Sequence, residues 1–293
     1  MLASLCYNSK NMFKGDDPLN FLQSILYGIV SGLAEFLPIS AGGHQAILMK
    51  LFGINNPDPV CTFFIHLGCL IAVFLCCKPA LIRLSREFRL SVRPSKGRRN
   101  RDVRTAYDLR LLRTALIPML IGLLIYGLTM NLAGNLLILS IFMIVNGIII
   151  MVPEYMTQGN KTAKHMTALD GAGIGISAAL SAIPGISRIG AVNSFGLYRG
   201  ADRSHILNWA FVLSLPALLL MVLFDLINIL SGAFAAITFG LFISYVFAGF
   251  MAFAGAYCGI LLIRFLSVRS GYIAFAYYSW GAAFLALILY LTV

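Results

Sequence analysis

The chain has 293 residues, is 59% hydrophobic and only 11% charged, and its mean hydropathy is +0.87. Soluble domains carry about 25% charged residues, so this composition excludes an ordinary soluble globule and takes lipid as its solvent. The net charge of +11 is concentrated, because Lys78 to Arg113 holds twelve Lys or Arg against Glu87, Asp102 and Asp108, a net of 12 − 3 = +9.

The first ten residues, MLASLCYNSK, contain no apolar core long enough for a cleaved signal peptide. From Phe21 to Phe52 the chain is apolar, yet Glu35, Pro38, Ser40, Gly42, Gly43 and His44 sit near the middle. Stretches of about 20 apolar residues then predict spanning helices at 59–77, 112–130 and 135–152. A second interrupted stretch, Gly171 to Tyr198, carries Pro184, Gly185, Ser187, Arg188, Gly190 and Asn193 at its centre. Three more spans follow at 206–229, 237–263 and 272–292. Asp202 and Arg203 suit the start of the first of these, and Tyr and Trp residues at 272–280 suit an interfacial belt.

Polar, helix-breaking segments are tolerated at membrane depth only where protein buries them or they line a wet cavity. Each interrupted stretch has the length of two half-helices and a turn. The predicted architecture is therefore an all-α polytopic membrane protein with six transmembrane helices and two re-entrant hairpins. Charge supports this order. If the basic 78–113 loop is cytoplasmic, the loops 153–170, 199–205 and 264–271 are inside with Lys161, Lys164, Arg199, Arg203, Arg264 and Arg269. The opposite loops, 53–58, 131–134 and 230–236, carry no Lys or Arg. The basic loop joins two apolar spans, so it reads as an anchor on anionic headgroups and not as a nucleic-acid surface.

The hairpins then enter from opposite faces, and both termini lie outside. The chain divides into two inverted repeats within a single membrane domain, 1–293. The first, 21–152, holds hairpin 21–52, and the second, 171–293, holds hairpin 171–198. Interrupted segments at matching places in two halves point to a site near the midplane. A homodimer is compatible with this architecture.

Within the hairpins, Glu35 is a carboxylate in an apolar stretch, which marks a metal ligand, a general base or a structural ion pair. His44 follows two glycines and offers a nucleophile, general acid or ligand. Arg188 is suited to clamp phosphate and stays charged when buried. Ser40 and Ser187 suit phosphate oxygens or nucleophilic attack, and equally suit helix caps. Ser31, Gly43, Gly185, Gly190 and Asn193 are candidate phosphate-binding positions; glycine lets the backbone come close to a ligand. His66 reads as helix packing or a wet-face residue, and Asp225 and Asn228 as interfacial. The six cysteines, Cys6, Cys61, Cys69, Cys76, Cys77 and Cys258, form no CxxC pair. No Walker A loop, dinucleotide fingerprint or HExxH motif is present, which argues against ATP-driven transport and zinc proteolysis.

The segments Ser31-Gly32-Leu33-Ala34-Glu35-Phe36-Leu37-Pro38-Ile39-Ser40-Ala41-Gly42-Gly43-His44 and Pro184-Gly185-Ile186-Ser187-Arg188-Ile189-Gly190-Ala191-Val192 resemble two motifs of the bacterial undecaprenyl-pyrophosphate phosphatase (BacA/UppP) family. Those motifs read E-G-x-T-E-F-L-P-[IV]-S-S-T-G-H and P-G-x-S-R-S-G-A-T. The resemblance extends to His66-Leu67-Gly68, where the family tends to have Q-L-G. It implies hydrolysis of undecaprenyl pyrophosphate at the outer face of the bacterial plasma membrane, with Mg²⁺ or Ca²⁺, to recycle the peptidoglycan lipid carrier. Glu35, His44, Ser187 and Arg188 take the motif positions, with Glu35 as the metal ligand. Ser31 stands where the family has its first glutamate, Ala41 its second serine, Gly42 its threonine and Ile189 the serine after arginine. Loss of hydrolytic groups with retention of the clamp gives an alternative: a non-hydrolytic lipid-phosphate flippase of the same fold.

Overall fold

A computed structural model describes residues 18–54, 58–92, 106–124, 134–232, 237–269 and 271–292. The described residues form α1 (Phe21–Phe36), α2 (Ala41–Leu51), α3 (Pro59–Val92), α4 (Tyr107–Leu123) and α5 (Leu136–Met151). After a 3₁₀ turn at Val152–Tyr155 come α6 (Ala168–Ala179), α7 (Arg188–Tyr198), α8 (Arg203–Leu230), α9 (Phe239–Arg269) and α10 (Ile273–Thr292). Five helices, α3, α5 with its 3₁₀ extension, α8, α9 and α10, are long and apolar enough to cross a membrane. The chain is a multi-pass, all-helical membrane protein. The span expected at 112–130 appears as α4, of 17 residues, and residues 125–130 lie outside the described residues, as do both termini.

Both interrupted stretches are helix pairs. At 1.5 Å per residue, α2 and α7, of 11 residues each, reach only about 16 Å, half a bilayer core. Their local sequences explain where they start. Asn20 and Gln23 form a capping box at α1, and Thr167 and Asp170 form another at α6. The second helix of each pair is opened by a serine. Ser40 accepts a hydrogen bond from the Gly43 N–H at 3.3 Å, and Ser187 from the Gly190 N–H at 3.2 Å. Pro38 and Pro184 sit in the turns, where a missing N–H costs nothing.

Two expected C-terminal helix ends move outward by more than a turn. One is that of α9, which was expected to stop at residue 263 and runs to Arg269. The helix from Pro59 does not stop at residue 77 but continues to Val92, so the first part of the expected basic loop is helical. The extension is steadied at the start of α4, where no side chain of the preceding residue caps the helix. Glu87 accepts the Leu109 N–H at 2.8 Å, and Arg83 pairs with Asp108 at 3.5 Å. Asp202 caps α8 through the His205 N–H at 2.8 Å, as its position suggested. Glu154 and Arg203 form a two-bond pair at 2.5 and 2.9 Å, which ties the 3₁₀ turn to α8.

The leading helix of each hairpin is seated in the opposite half of the chain: α1 lies along α9, and α6 along α4. Glycine permits both approaches. A Cβ on Gly32 would lie 2.1 Å from the Ala252 carbonyl oxygen, and one on Gly175 would lie 2.0 Å from that of Ala115. Helices α3 and α8 pack together, as do α5 and α10. In lipid this close packing, and not apolar burial, holds helices together.

Gly32→Val should therefore force α1 off α9 and cost on the order of 1–3 kcal/mol or more. In detergent-solubilised protein its thermal midpoint should fall well below that of wild type. Gly240→Ala on α9, whose Cβ would meet nothing within 4 Å, should leave the midpoint unchanged.

Candidate functional site

The two hairpin turns meet in the interior. Ser187 Oγ donates to the Leu37 carbonyl at 3.1 Å, joining one turn to the other. Asn146, fully buried on α5, bridges them again. Its Nδ2 donates to the Pro38 carbonyl at 3.2 Å and to Ser279 Oγ at 3.2 Å, while its Oδ1 accepts the Ser187 N–H at 2.9 Å. Gly185 turns the second loop at φ +102°, pressed against α5, where a Cβ would lie 2.6 Å from Phe142 Cβ.

The junction places Arg188, first residue of α7, against Glu35 in the last turn of α1. Arg188 Nη2 donates to Glu35 Oε1, and Nε donates to Ser214 Oγ of α8 at 3.2 Å. Its Nη1 is buried with no hydrogen-bond partner among the described residues. Ser40 adopts φ +67°, the one non-glycine residue among those described with positive φ. Such conformations are costly and cluster at functional sites.

A cavity of about 250 Å³ runs along these groups. Glu35, Ser40, Ser187 and Arg188 line it at the hairpin turns. Thr62 and His66 of α3 and Asp225 of α8 line its flank, and Lys50, Ile54, Gly134 and Asn228 lie on its wall toward the loops free of Lys and Arg.

The other expected residues lie off the wall. His44 is buried, with Nδ1 at 2.8 Å from the Ser40 carbonyl and Nε2 at 3.0 Å from Tyr278 Oη, its ring stacked on that tyrosine. The Gly43 and Gly190 N–H groups are spent on the serine caps. Ser31 is buried one turn before Glu35, and its Oγ has no partner among the described residues. Asn193 donates to the Ile189 carbonyl at 2.8 Å, and its buried Oδ1 is likewise without a partner.

Sequence reasoning passed over Asn146 and Ser214, read Tyr278 only as part of an interfacial belt, and gave His66 and Asp225 only bland roles. A lone amide in the apolar run Ile138–Met151 was the available signal for Asn146.

A resident divalent ion fits poorly. Among the described residues no three His, Cys, Asp or Glu side chains gather as a metal site, and Glu35 is engaged by Arg188. What remains is a guanidinium with one unspent nitrogen, beside small hydroxyls, in a space of headgroup size. A guanidinium so placed has the chemistry to take a phosphate oxygen.

Asn146→Leu keeps the branched side-chain shape but orphans the Ser187 N–H and the Pro38 carbonyl, each at about 1–3 kcal/mol. The thermal midpoint should drop clearly, and binding of a lipid phosphate should weaken even though Asn146 does not line the cavity.

The chain matches the family described as bacitracin resistance protein BacA over residues 24–285. It is similar to an undecaprenyl-diphosphatase of Alkaliphilus metalliredigens, 29% identical over 88% of this chain and 94% of the relative. It is also similar to one from a Nocardioides species, 30% identical over 92% and 97%, and to undecaprenyl-diphosphatase 2 of Halalkalibacterium halodurans, 29% identical over 90% and 94%. With nearly the whole chain matched, and with both hairpin motifs at one cavity, the protein belongs to the bacitracin resistance protein BacA family.

Proposed function

We propose that the chain is an undecaprenyl-diphosphatase, which hydrolyses a polyprenyl diphosphate carrier to the monophosphate and returns the carrier to cell-wall synthesis. The observation that carries this is Arg188, buried and with an unspent Nη1, on the wall of a headgroup-sized cavity. About 250 Å³ lies near the lower bound of small-molecule sites, roughly 300 Å³. It suits a diphosphate headgroup whose polyprenyl tail stays in the bilayer.

Arg188 binds the terminal phosphate and neutralises charge as it develops. Ser40 and Ser187, both capping serines, hold the turns that shape the pocket; the Ser40 hydroxyl can donate to a phosphate oxygen, while the Ser187 hydroxyl donates to the Leu37 carbonyl. Glu35 keeps the guanidinium in place. The nucleophile role that the sequence offers for His44 requires its ring to leave Tyr278 and turn to the cavity. In the position described, it braces the Ser40 turn. Ser31, Gly43, Gly185, Gly190 and Asn193 support the wall from behind.

The inverted-repeat arrangement belongs to the same proposal. It is supported by the matching seats of α1 on α9 and α6 on α4, and by the matching serine caps. Outer-face access is supported by the wall residues Ile54, Gly134 and Asn228, which flank the loops free of Lys and Arg. Both termini are then outside. Mg²⁺ or Ca²⁺ would find Glu35 as its protein ligand only after that carboxylate left Arg188, and no step here runs through a metal.

Purified protein should release inorganic phosphate from undecaprenyl diphosphate, measured in parallel with Mg²⁺, with Ca²⁺ and with EDTA. Arg188→Ala should lower kcat/KM by about 10²–10³-fold, the scale for losing one donor to transition-state charge. Wild-type protein that binds the diphosphate lipid but releases no phosphate in any arm would overturn hydrolysis in favour of lipid-phosphate carriage.

A further inference from the structure

The cavity holds a second polar group that none of the roles above uses. Thr62 and His66 lie one turn apart on α3 and face Asp225 of α8. His66 Nδ1 is 2.6 Å from Asp225 Oδ2. The Thr62 hydroxyl is 3.0 Å from Asp225 Oδ1 and 3.1 Å from the Pro59 carbonyl. With a partner at each carboxylate oxygen, Asp225 is fixed in orientation. It accepts from Nδ1, so the proton sits there, and in the neutral ring Nε2 carries the lone pair. Among the described residues no hydrogen bond engages Nε2, and the imidazole is on the cavity wall.

The alternatives for proton transfer are poorer. Glu35 is engaged by Arg188. His44 has both ring nitrogens occupied and lies off the wall. His165 lies near Thr162, and His205 near Trp209 and Ala163, neither of them on this cavity. Ser31 and Ala41 supply no base where the family motif has a glutamate and a serine. His66 thus holds, among the described residues, the one imidazole with a free ring nitrogen on a wall that also carries the guanidinium.

We propose that His66, oriented by Asp225, is the general base of this site, and that Asp225 is its positioning residue. The proposal rests on the diphosphatase reading. Nε2 removes one proton from a water as the water oxygen bonds to the terminal phosphorus. The bond between that phosphorus and the bridging oxygen breaks, and its electron pair leaves with the polyprenyl monophosphate. The proton then passes from Nε2 to solvent. An Asp-held imidazole with a free Nε2 is the arrangement used for proton abstraction on unrelated folds.

Several groups face or surround the imidazole. They are Asp225 from α8, Glu35 from α1 and Arg188 from α7, with Lys50 of α2 on the same wall. Cys69 lies along α3, buried in the core. Tyr245 of α9 lies near Asp58 and Cys61, before His66 on α3.

The test is steady-state phosphate release from undecaprenyl diphosphate across pH 5–9, with full-length protein in detergent. His66→Gln should lower kcat by about 10²–10⁴-fold, the usual share of a general base, with KM within a few-fold. Its profile should lose the acid limb seen in wild type, and added imidazole should restore part of the rate to His66→Ala. Asp225→Asn should lower kcat and move the acid limb, which a purely structural tie between α3 and α8 would not do. Wild-type activity with His66→Gln within threefold of it overturns this proposal and leaves the diphosphatase reading standing, whereas an inactive wild type overturns both. If His66→Gln does not fold, Asp225→Asn decides. Near-normal kcat with an unmoved acid limb in that variant overturns the proposal.

Discussion

The rest of the structure depends on how two broken helices satisfy their backbone in a place without water. A chain that turns back at membrane depth exposes carbonyls and N–H groups that lipid cannot satisfy, at a cost of several kcal/mol each. Here the turns satisfy each other. Ser187 reaches the Leu37 carbonyl, and the Asn146 amide takes one group from each turn. Because the same contacts link residues about 150 positions apart, neither hairpin is a finished structure without the other half of the chain. The site forms at that junction because it is the one place where irregular backbone from both halves is held still.

Arg188 and Glu35 depend on this junction. Desolvating a guanidinium and a carboxylate is expensive, and a buried pair seldom adds net stability over an apolar pair of the same volume. Its presence is therefore better explained by recognition than by folding. The supports are local: Ser214 fixes Nε, and the carboxylate fixes one terminal nitrogen. Four positions where this chain departs from its family's motifs, Ser31, Ala41, Gly42 and Ile189, take away a carboxylate and three hydroxyls and leave Arg188 and Glu35 in place. The His66–Asp225 pair approaches the same cavity from the opposite helices, α3 and α8.

Much of this was legible in the sequence. Proline, glycine and a charge inside an apolar run leave only a few backbone solutions, so both hairpins and the convergence of Glu35 with Arg188 could be read directly. The capping serines were legible as an alternative because Ser-x-x-Gly offers a cap whether or not a ligand comes. The length of α3 was not legible, because Lys78–Val92 is helical without being apolar and hydropathy reports only the part in lipid. Contacts across the chain were also hidden. His66 and Asp225 are 159 residues apart, His44 and Tyr278 are 234 apart, and each residue alone looks like a polar group at a helix surface. For His44 the motif suggested a reactive imidazole, but which way the ring turns is decided by a tyrosine on α10 that no local pattern points to.

The pairing of Arg188 with Glu35 also sets a threshold on what can enter. The guanidinium already has an anionic companion in Glu35, so an incoming anion gains only the difference between itself and a carboxylate. A singly charged anion gains little by that exchange. A headgroup carrying more negative charge on several oxygens can displace the carboxylate and still use the spare nitrogen. On the diphosphatase reading, splitting that charge between two products would leave neither with the intact headgroup's hold on the guanidinium, and Glu35 would regain its advantage there. On that reading the carboxylate is a resident competitor, which would weigh ligand charge on the way in and favour product release on the way out.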